Sequence, residues 1–346
     1  MRSYYILRSG RLSQKDKSLL FSSGYDVEHT LFEDLTEDEQ KNVVQKSWLP
    51  VEEVDSIYFF GETDTNSRAL GLLGSHGICA HYFNYYGWYT GSFVPRKSLI
   101  SGETTVRQSE HYLNEEKRMV LAREFVSGSI YSMREVLRPH SEKNAQIKTI
   151  MDEIKGLQKE LIKQANIPAV MGIEGNTKIK YYMAIKQIIP DEFEFEKRVK
   201  HPPDNAVNAL ISFVNSLVYT AILKELYSTP LHPSVGFLHE PFERRYTLVL
   251  DISEIFKPLI GDKIILELLN NKRLRLSHFD KDLNYCYLND SGRKVVVSAF
   301  DEKVKSTIKH KKLKKMLSWK QMIRMELYKI MKHITKDEQY NHFRLK

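Results

Sequence analysis

Residues 143–165, KNAQIKTIMDEIKGLQKELIKQA, place Ile147, Ile150, Ile154, Leu157 and Leu161 three and four positions apart. That spacing lines one side of an α-helix and leaves the lysines and acids on the other. Working outward, Leu113 to Ser132 is dense in good helix formers, and the helical period takes over from Gln108 onward. Asn166-Ile167-Pro168 predicts another helix start, with proline suited to the first turn. Asp204-Asn205 caps a helix from Ala206 to Leu226, carrying Leu210, Phe213, Leu217 and Ile222 inside, and Lys312 to Ile334 is helical too.

Upstream the pattern differs. Tyr4-Tyr5-Ile6-Leu7, Ser18-Leu19-Leu20-Phe21, Ser56 to Phe60 and Ile78 to Phe83 are short apolar runs punctuated by glycine and serine, which is the signature of strands. Asn66 to Ser75 reads as a short helix between them, and Asp34 to Glu39 as an acidic loop or short helix. The expected fold class is α+β: a small β-rich domain over residues 1–90, a linker over 91–107, and a larger all-α domain over 108–346.

The chain has 346 residues, with 42% hydrophobic and 28% charged, values of a globular protein rather than a disordered one. No apolar run approaches a membrane span and the start lacks a signal peptide, so the expectation is no membrane and a cytoplasmic setting. Cys79 and Cys286 are the only cysteines and lie far apart, which excludes a disulfide framework or a thiolate zinc site. The net charge is +8, and the segment 301–346 alone holds 14 Lys/Arg against 5 Asp/Glu. A basic concentration of this kind suits a polyanion, though a solvated helical face has the same composition.

Four polar residues in apolar surroundings carry the candidate chemistry: Glu174 in Met171-Gly172-Ile173-Glu174-Gly175-Asn176, His239 in Gly236-Phe237-Leu238-His239-Glu240-Pro241, and Asp251 and Glu254 in Leu248-Val249-Leu250-Asp251-Ile252-Ser253-Glu254. One imidazole with two or three carboxylates is ligand chemistry for Mg²⁺ or Mn²⁺, which points to phosphodiesters. On a helix, Asp251 and Glu254 fall on one face, close enough to share an ion, and Lys257-Pro258 would kink or end that helix. The three prolines and Gly236 between Pro230 and Pro241 place His239 in a rigid loop. Taken singly, each acid or imidazole has a structural explanation; the set is harder to dismiss, because a carboxylate on an apolar segment needs compensation. Gly172 and Gly175 cost helix stability and admit either a substrate backbone or a tight helix crossing.

Candidate phosphate contacts are Arg198 and Lys200 before Pro202-Pro203, Arg244 and Arg245 after the His239 turn, and Lys311, Lys312, Lys314 and Lys315 in the basic cluster. Surface salt bridging accounts for the same residues. Tyr82 to Tyr89 is rich in aromatics and suits an inter-subunit core better than base stacking. There is no Gly-x-Ser-x-Gly, no phosphate-binding glycine loop and no His-Glu-x-x-His, which weakens the serine hydrolase, nucleotidase and metalloprotease readings.

With those residues in view, the chain resembles the CRISPR-associated integrase of spacer acquisition, nearly end to end. The resemblance rests on Phe59-Phe60-Gly61-Glu62, His76-Gly77-Ile78, Phe83 to Phe93, Gly172-Ile173-Glu174-Gly175, Asp204 with Asn208 to Phe213, Leu238-His239-Glu240-Pro241 and Leu250 to Glu254. The tyrosine, glycine and tryptophan stretch looks most like the subtype that accompanies type I-B systems. The resemblance implies a β domain that mediates homodimerisation and an α domain that holds a metal. It also implies a smaller second adaptation subunit and double-stranded DNA, both prespacer and repeat. It carries the metal ligands over to Glu174, His239 and Glu254, with Asp251 as a supporting acid; Glu254 stands where many members have aspartate, and His201 where arginine is common. A repair nuclease on branched DNA and a non-catalytic DNA-binding protein are the rival readings.

Overall fold

Short apolar runs in the first part of the chain pair into sheets because each can bury one face against the other sheet. The computed structural model describes residues 1–24, 45–96, 98–199, 202–282, 285–310 and 313–345, and the chain divides into two compact units, Met1–Ser98 and Leu99–Lys346. In the first unit, β1 (Arg2–Ile6), β2 (Gly10–Lys15), β3 (Ser18–Ser23), β4 (Gln45–Leu49), β5 (Val54–Phe59) and β6 (Thr63–Thr65) precede helix α1 (Ser67–His76), and β7 (Cys79–Phe83) and β8 (Tyr89–Phe93) follow it. One sheet has the order β1-β5-β7-β8, parallel except for the last pair, and the other β4-β3-β2-β6. Leu12, Leu19 and Phe21 of one sheet, Ile57, Phe59 and Ala80 of the other, and Ala69 and Leu73 of α1 form a shared core. Asn66 caps α1 by accepting the Ala69 amide at 3.0 Å, and Gly77, at φ +70°, ends it in the left-handed conformation that favours glycine.

The second unit opens with α2 (Gly102–Leu113), α3 (Glu115–Ser141), α4 (Ala145–Leu161), α5 (Ile167–Lys186), α6 (Ala206–Leu226) and α7 (Thr247–Phe256). A π-helical turn, Lys257–Asp262, joins α7 to α8 (Lys263–Asn270). Then come β9 (Phe279–Asp282), β10 (Tyr285–Leu288), α9 (Asp290–Lys305), β11 (Thr307–His310), β12 (Lys315–Ser318) and α10 (Trp319–Lys336). Asparagine side chains start α3, α4, α5, α6 and α9, each accepting an amide that the first turn leaves without a partner. The period read in residues 143–165 is the buried stripe of α4, with Ile147, Ile154 and Leu161 at 1%, 0% and 2% exposure.

Several expectations are corrected. The stretch 91–107 is not all connection, since it contains the end of β8 and the start of α2. The second unit is mostly helical but holds two hairpins, β9–β10 and β11–β12, the latter carrying Lys309, Lys314 and Lys315. Lys314 takes φ +52°, in the left-handed region, just before β12. The regular α7 does end just before Pro258, at Phe256, but the chain continues helically through a π-helical turn. Finally, α6 is long and apolar enough to cross a membrane, contrary to the sequence reading. Most of it (78% of its most apolar window) is buried inside the protein, which explains the composition without a bilayer. The acidic segment Asp34 to Glu39 lies outside the described residues.

Leu217 at 0% exposure on α6 and Ile179 at 63% on α5 test this burial directly. Leu217→Ala is expected to cost about 2–5 kcal/mol in denaturant unfolding, and Ile179→Ala less than about 0.5 kcal/mol.

Candidate active site

The loop between α6 and α7 is short of regular structure and is therefore held by side chains. Gln108 of α2 donates to the His232 and Val235 carbonyls at 2.9 and 2.5 Å and accepts the His232 amide at 3.0 Å. Arg118 of α3 donates to the Phe237 carbonyl at 2.8 Å and to Glu240 at 2.7 Å, while the Tyr112 hydroxyl donates to the other Glu240 oxygen at 2.5 Å. Gly236 passes so close to α7 that a Cβ there would meet the Thr247 carbonyl carbon at 2.7 Å and Asp251 Oδ2 at 2.8 Å, so no larger residue fits.

Asp251 is fully buried and faces this loop. Its Oδ2 accepts the Phe237 and Leu238 amides at 2.6 and 3.1 Å, and its Oδ1 accepts the His239 amide at 3.0 Å and His239 Nδ1 at 2.8 Å. Both oxygens are thus fully engaged. The imidazole is fixed with Nδ1 as donor, which leaves the Nε2 lone pair as the ligating position. Burial opposes charge on His239, but the hydrogen bond and charge of Asp251, with Glu254 behind it, outweigh that and raise its pKa above the ordinary value.

Glu254, one turn further along α7 and 4% exposed, points elsewhere. Lys257 Nζ lies 3.0 Å from its Oε1 and Lys178 Nζ 2.8 Å from its Oε2. Lys178, on α5, is also ion-paired with Glu174 one turn before it. Burial opposes the charged form of Glu254, yet these two ammonium groups hold its carboxyl far below the usual range. The same pairing outweighs burial and lifts Lys178 above the ordinary lysine value. The expectation that Asp251 and Glu254 share one ion is therefore corrected: Asp251 serves the loop, and it is Glu174 and Glu254, from two helices, that converge on one cation. Among the described residues, no three His, Cys, Asp or Glu side chains stand close enough to hold an ion as they are; the Lys178 ammonium lies between the two glutamates. Two hard carboxylates meeting at one positive centre, beside an oriented imidazole, fit the donor set of Mg²⁺ or Mn²⁺.

Behind Glu254 lies a small cavity lined by Lys178, Tyr181, Tyr182, Arg198, Lys257 and Asp262 among others. Burial pushes Asp262 up to about 6 from the ordinary 3.8, although the Tyr181 hydroxyl donates to it at 2.8 Å. Arg198 is turned inward, with its guanidinium on Ser212 Oγ at 2.9 Å and on the Asn208 side chain and carbonyl at 3.2 Å. Its charge braces the α6 start instead of standing free on the surface. Arg244 and Arg245 are exposed, Arg244 at φ +60° and Arg245 stacked 5.8 Å from the exposed Phe242 ring. Lys314 and Lys315 are exposed as well, whereas Lys200, His201, Lys311 and Lys312 lie outside the described residues. A Cβ built on Gly172 or Gly175 meets nothing within 4 Å, so among the described residues no helix crossing uses these glycines. Sequence reading missed Lys178, Lys257, Gln108, Tyr112 and Arg118. The Glu174–Lys178 spacing of four and the Glu254–Lys257 spacing of three could have signalled two of them.

This two-unit architecture has known counterparts. The chain belongs to the Cas1 family: the family model described as CRISPR associated protein Cas1 matches residues 4–302. A protein named CRISPR-associated endonuclease Cas1 3, from Thermodesulfovibrio yellowstonii, is 42% identical over 344 residues, 99% of each chain. The solved structure of a Cas1 protein from Thermotoga maritima superposes with a TM-score of 0.83 at 35% identity, covering 99% of this chain and all of that one. A casposase bound to integration product shares the fold at a TM-score of 0.85 and 18% identity, over 100% of this chain and 95% of its own.

Two outcomes are expected. Asp251→Asn turns an amide NH₂ toward backbone donors and frees the imidazole, so it should lower the melting temperature and weaken Mn²⁺ binding by roughly 10–100-fold in calorimetric titration. Asp262 holds its proton in the folded chain at pH values where the unfolded chain has lost it. Its stabilising contribution is fully present below about 3.8 and disappears as pH rises through about 6. Denaturant unfolding of Asp262→Asn should lack that slope and gain roughly 3 kcal/mol on wild type between pH 4 and 7.

Proposed function

We propose that this chain is the DNA endonuclease and integrase of CRISPR spacer acquisition, with Glu174, His239 and Glu254 as ligands of a Mg²⁺ or Mn²⁺ ion. The observation that carries the metal assignment is the convergence of Glu174 and Glu254, from α5 and α7, on a single positive centre. Family membership supplies the reaction class, and the relatives' description as endonucleases supports it. The bound ion would supply Lewis-acid polarisation of the scissile phosphate and stabilise charge on its oxygens.

The chain's own groups do the rest. Asp251 holds His239 in the tautomer that presents Nε2, and the Gln108, Tyr112 and Arg118 contacts keep the loop from drifting. Glu174 and Glu254 contribute the oxygen ligands. Arg244 and Arg245, exposed on the turn after His239, would meet flanking phosphates, and the exposed Lys314 and Lys315, just before and at the start of β12, would add sequence-independent attraction to DNA. No side-chain nucleophile is needed. The 3′-hydroxyl of a prespacer attacks the phosphorus at the repeat boundary, the new P–O bond forms as the repeat's own P–O3′ bond breaks, and a 3′-hydroxyl leaves on the repeat strand. Water in place of the attacking hydroxyl gives cleavage. The N-terminal unit serves homodimerisation, the smaller adaptation subunit completes the assembly with double-stranded DNA, and the setting is the cytoplasm.

A strand-transfer assay tests the reading, with labelled prespacer, a supercoiled repeat plasmid, Mn²⁺ or Mg²⁺ and the small subunit. Joined product should fall at least about 100-fold in Glu174→Ala, His239→Ala and Glu254→Ala, with folding unchanged by circular dichroism. Activity retained in all three variants would remove the assignment. Lys314→Glu with Lys315→Glu should weaken DNA binding and flatten its dependence on salt by about one ion for each phosphate no longer neutralised; an unchanged slope in a binding titration would leave that turn as solvated surface.

A further inference from the structure

Among the described residues, Lys178 is the one side chain that touches carboxylates from both helices of the site. Its ammonium pairs with Glu174 on its own helix and lies 2.8 Å from Glu254 Oε2 on α7. Lys257 takes the other Glu254 oxygen from the same helical stretch, at 3.0 Å, without reaching Glu174. Glu174 and Glu254 are 12% and 5% exposed at their side chains, so water does little to screen them from each other. Two like charges in that setting would repel and push α5 and α7 apart, and Lys178 removes that repulsion.

We propose that Lys178 is a built-in counter-cation that occupies the divalent-metal position between Glu174 and Glu254 and must be displaced for a metal to bind. The proposal rests on the ligand reading given above. Mg²⁺ binds carboxylate oxygens at about 2.0–2.1 Å, closer than an ammonium does, so the space between the two glutamates accepts one cation at a time. Before displacement the two glutamates are balanced by Lys178 and Lys257. Afterwards a doubly charged ion replaces a singly charged one, and the centre turns net positive, as an anionic phosphodiester requires. Lys178 is thus a positioning residue in the metal-free protein and a competitor during loading. The proposal fixes the sign of an effect: a residue that only supports the site should weaken metal binding when removed, whereas a competitor should strengthen it.

The test is Mn²⁺ titration of the full-length chain without DNA, following free Mn²⁺ by electron paramagnetic resonance. Wild type, Lys178→Met, Lys178→Gln, Lys180→Met and Glu174→Ala are compared after circular dichroism. Lys178→Met and Lys178→Gln should each bind Mn²⁺ about tenfold more tightly than wild type, the order expected for removing one competing charge. Their melting temperatures should drop without Mn²⁺ and recover with it. Lys180→Met removes a charge on the same helix that pairs with Glu153 instead, and should leave the affinity alone. Equal or weaker binding in both Lys178 variants, with binding still lost in Glu174→Ala, overturns the competitor role and leaves the ligand reading intact. Binding by Glu174→Ala that matches wild type removes the ligand reading, and this proposal with it.

Discussion

Two carboxylates three residues apart on α7 are both buried, and the site depends on how each is compensated. A bare carboxylate in a protein interior is too costly to keep. Asp251 is matched by four N–H donors, three of them backbone amides, so its compensation is rigid and permanent. Glu254 is matched by two lysine ammonium groups at the ends of flexible chains, so its compensation is exchangeable. One acid therefore builds the loop that carries His239. The other is kept charged without being locked, as its proposed role as a ligand requires.

The loop illustrates how precision is reached without regular structure. Its backbone is held from α2, α3 and α7 at once, by Gln108, Arg118, Thr247 and Asp251. Strung along nearly ten residues, these contacts leave His239 little freedom, while the turn just beyond it, Phe242 to Arg245, stays open to solvent. A fixed imidazole and an open basic turn thus sit within a few residues of each other.

The helical half was legible because its stripes are long: the Ile147–Leu161 stripe and the apolar α6 needed only their period. The β unit was half legible. β5 and β7 are mostly buried and rich in apolar residues, but β2 (GRLSQK) and β4 (QKSWL) offer few buried residues and take their place through pairing with β3. At the site, Glu174, His239, Asp251 and Glu254 could be picked out as polar residues in apolar runs. Their partnerships could not, because spacing on one helix says nothing of the loop that packs against it. Lys178 looks like any i,i+4 partner of Glu174, and Arg198 like any surface arginine in a basic stretch, until α7 and α6 are brought beside them. Gln108 and Arg118 act more than a hundred positions away from their own place in the chain.

The π-helical turn Lys257–Asp262 has a further consequence. Such a turn is an α-helix carrying one surplus residue, so everything after it is rotated by about 100° relative to an uninterrupted helix. Lys257, at the start of the turn, reaches Glu254 at ordinary helical spacing, while Asp262, at its far end, meets Tyr181. Deleting one residue here would make a more regular helix and a worse protein, since the aspartate would be turned away from its partner. This stretch is therefore constrained in length as strictly as in composition, an unusual demand on six residues that none of the four site positions occupies.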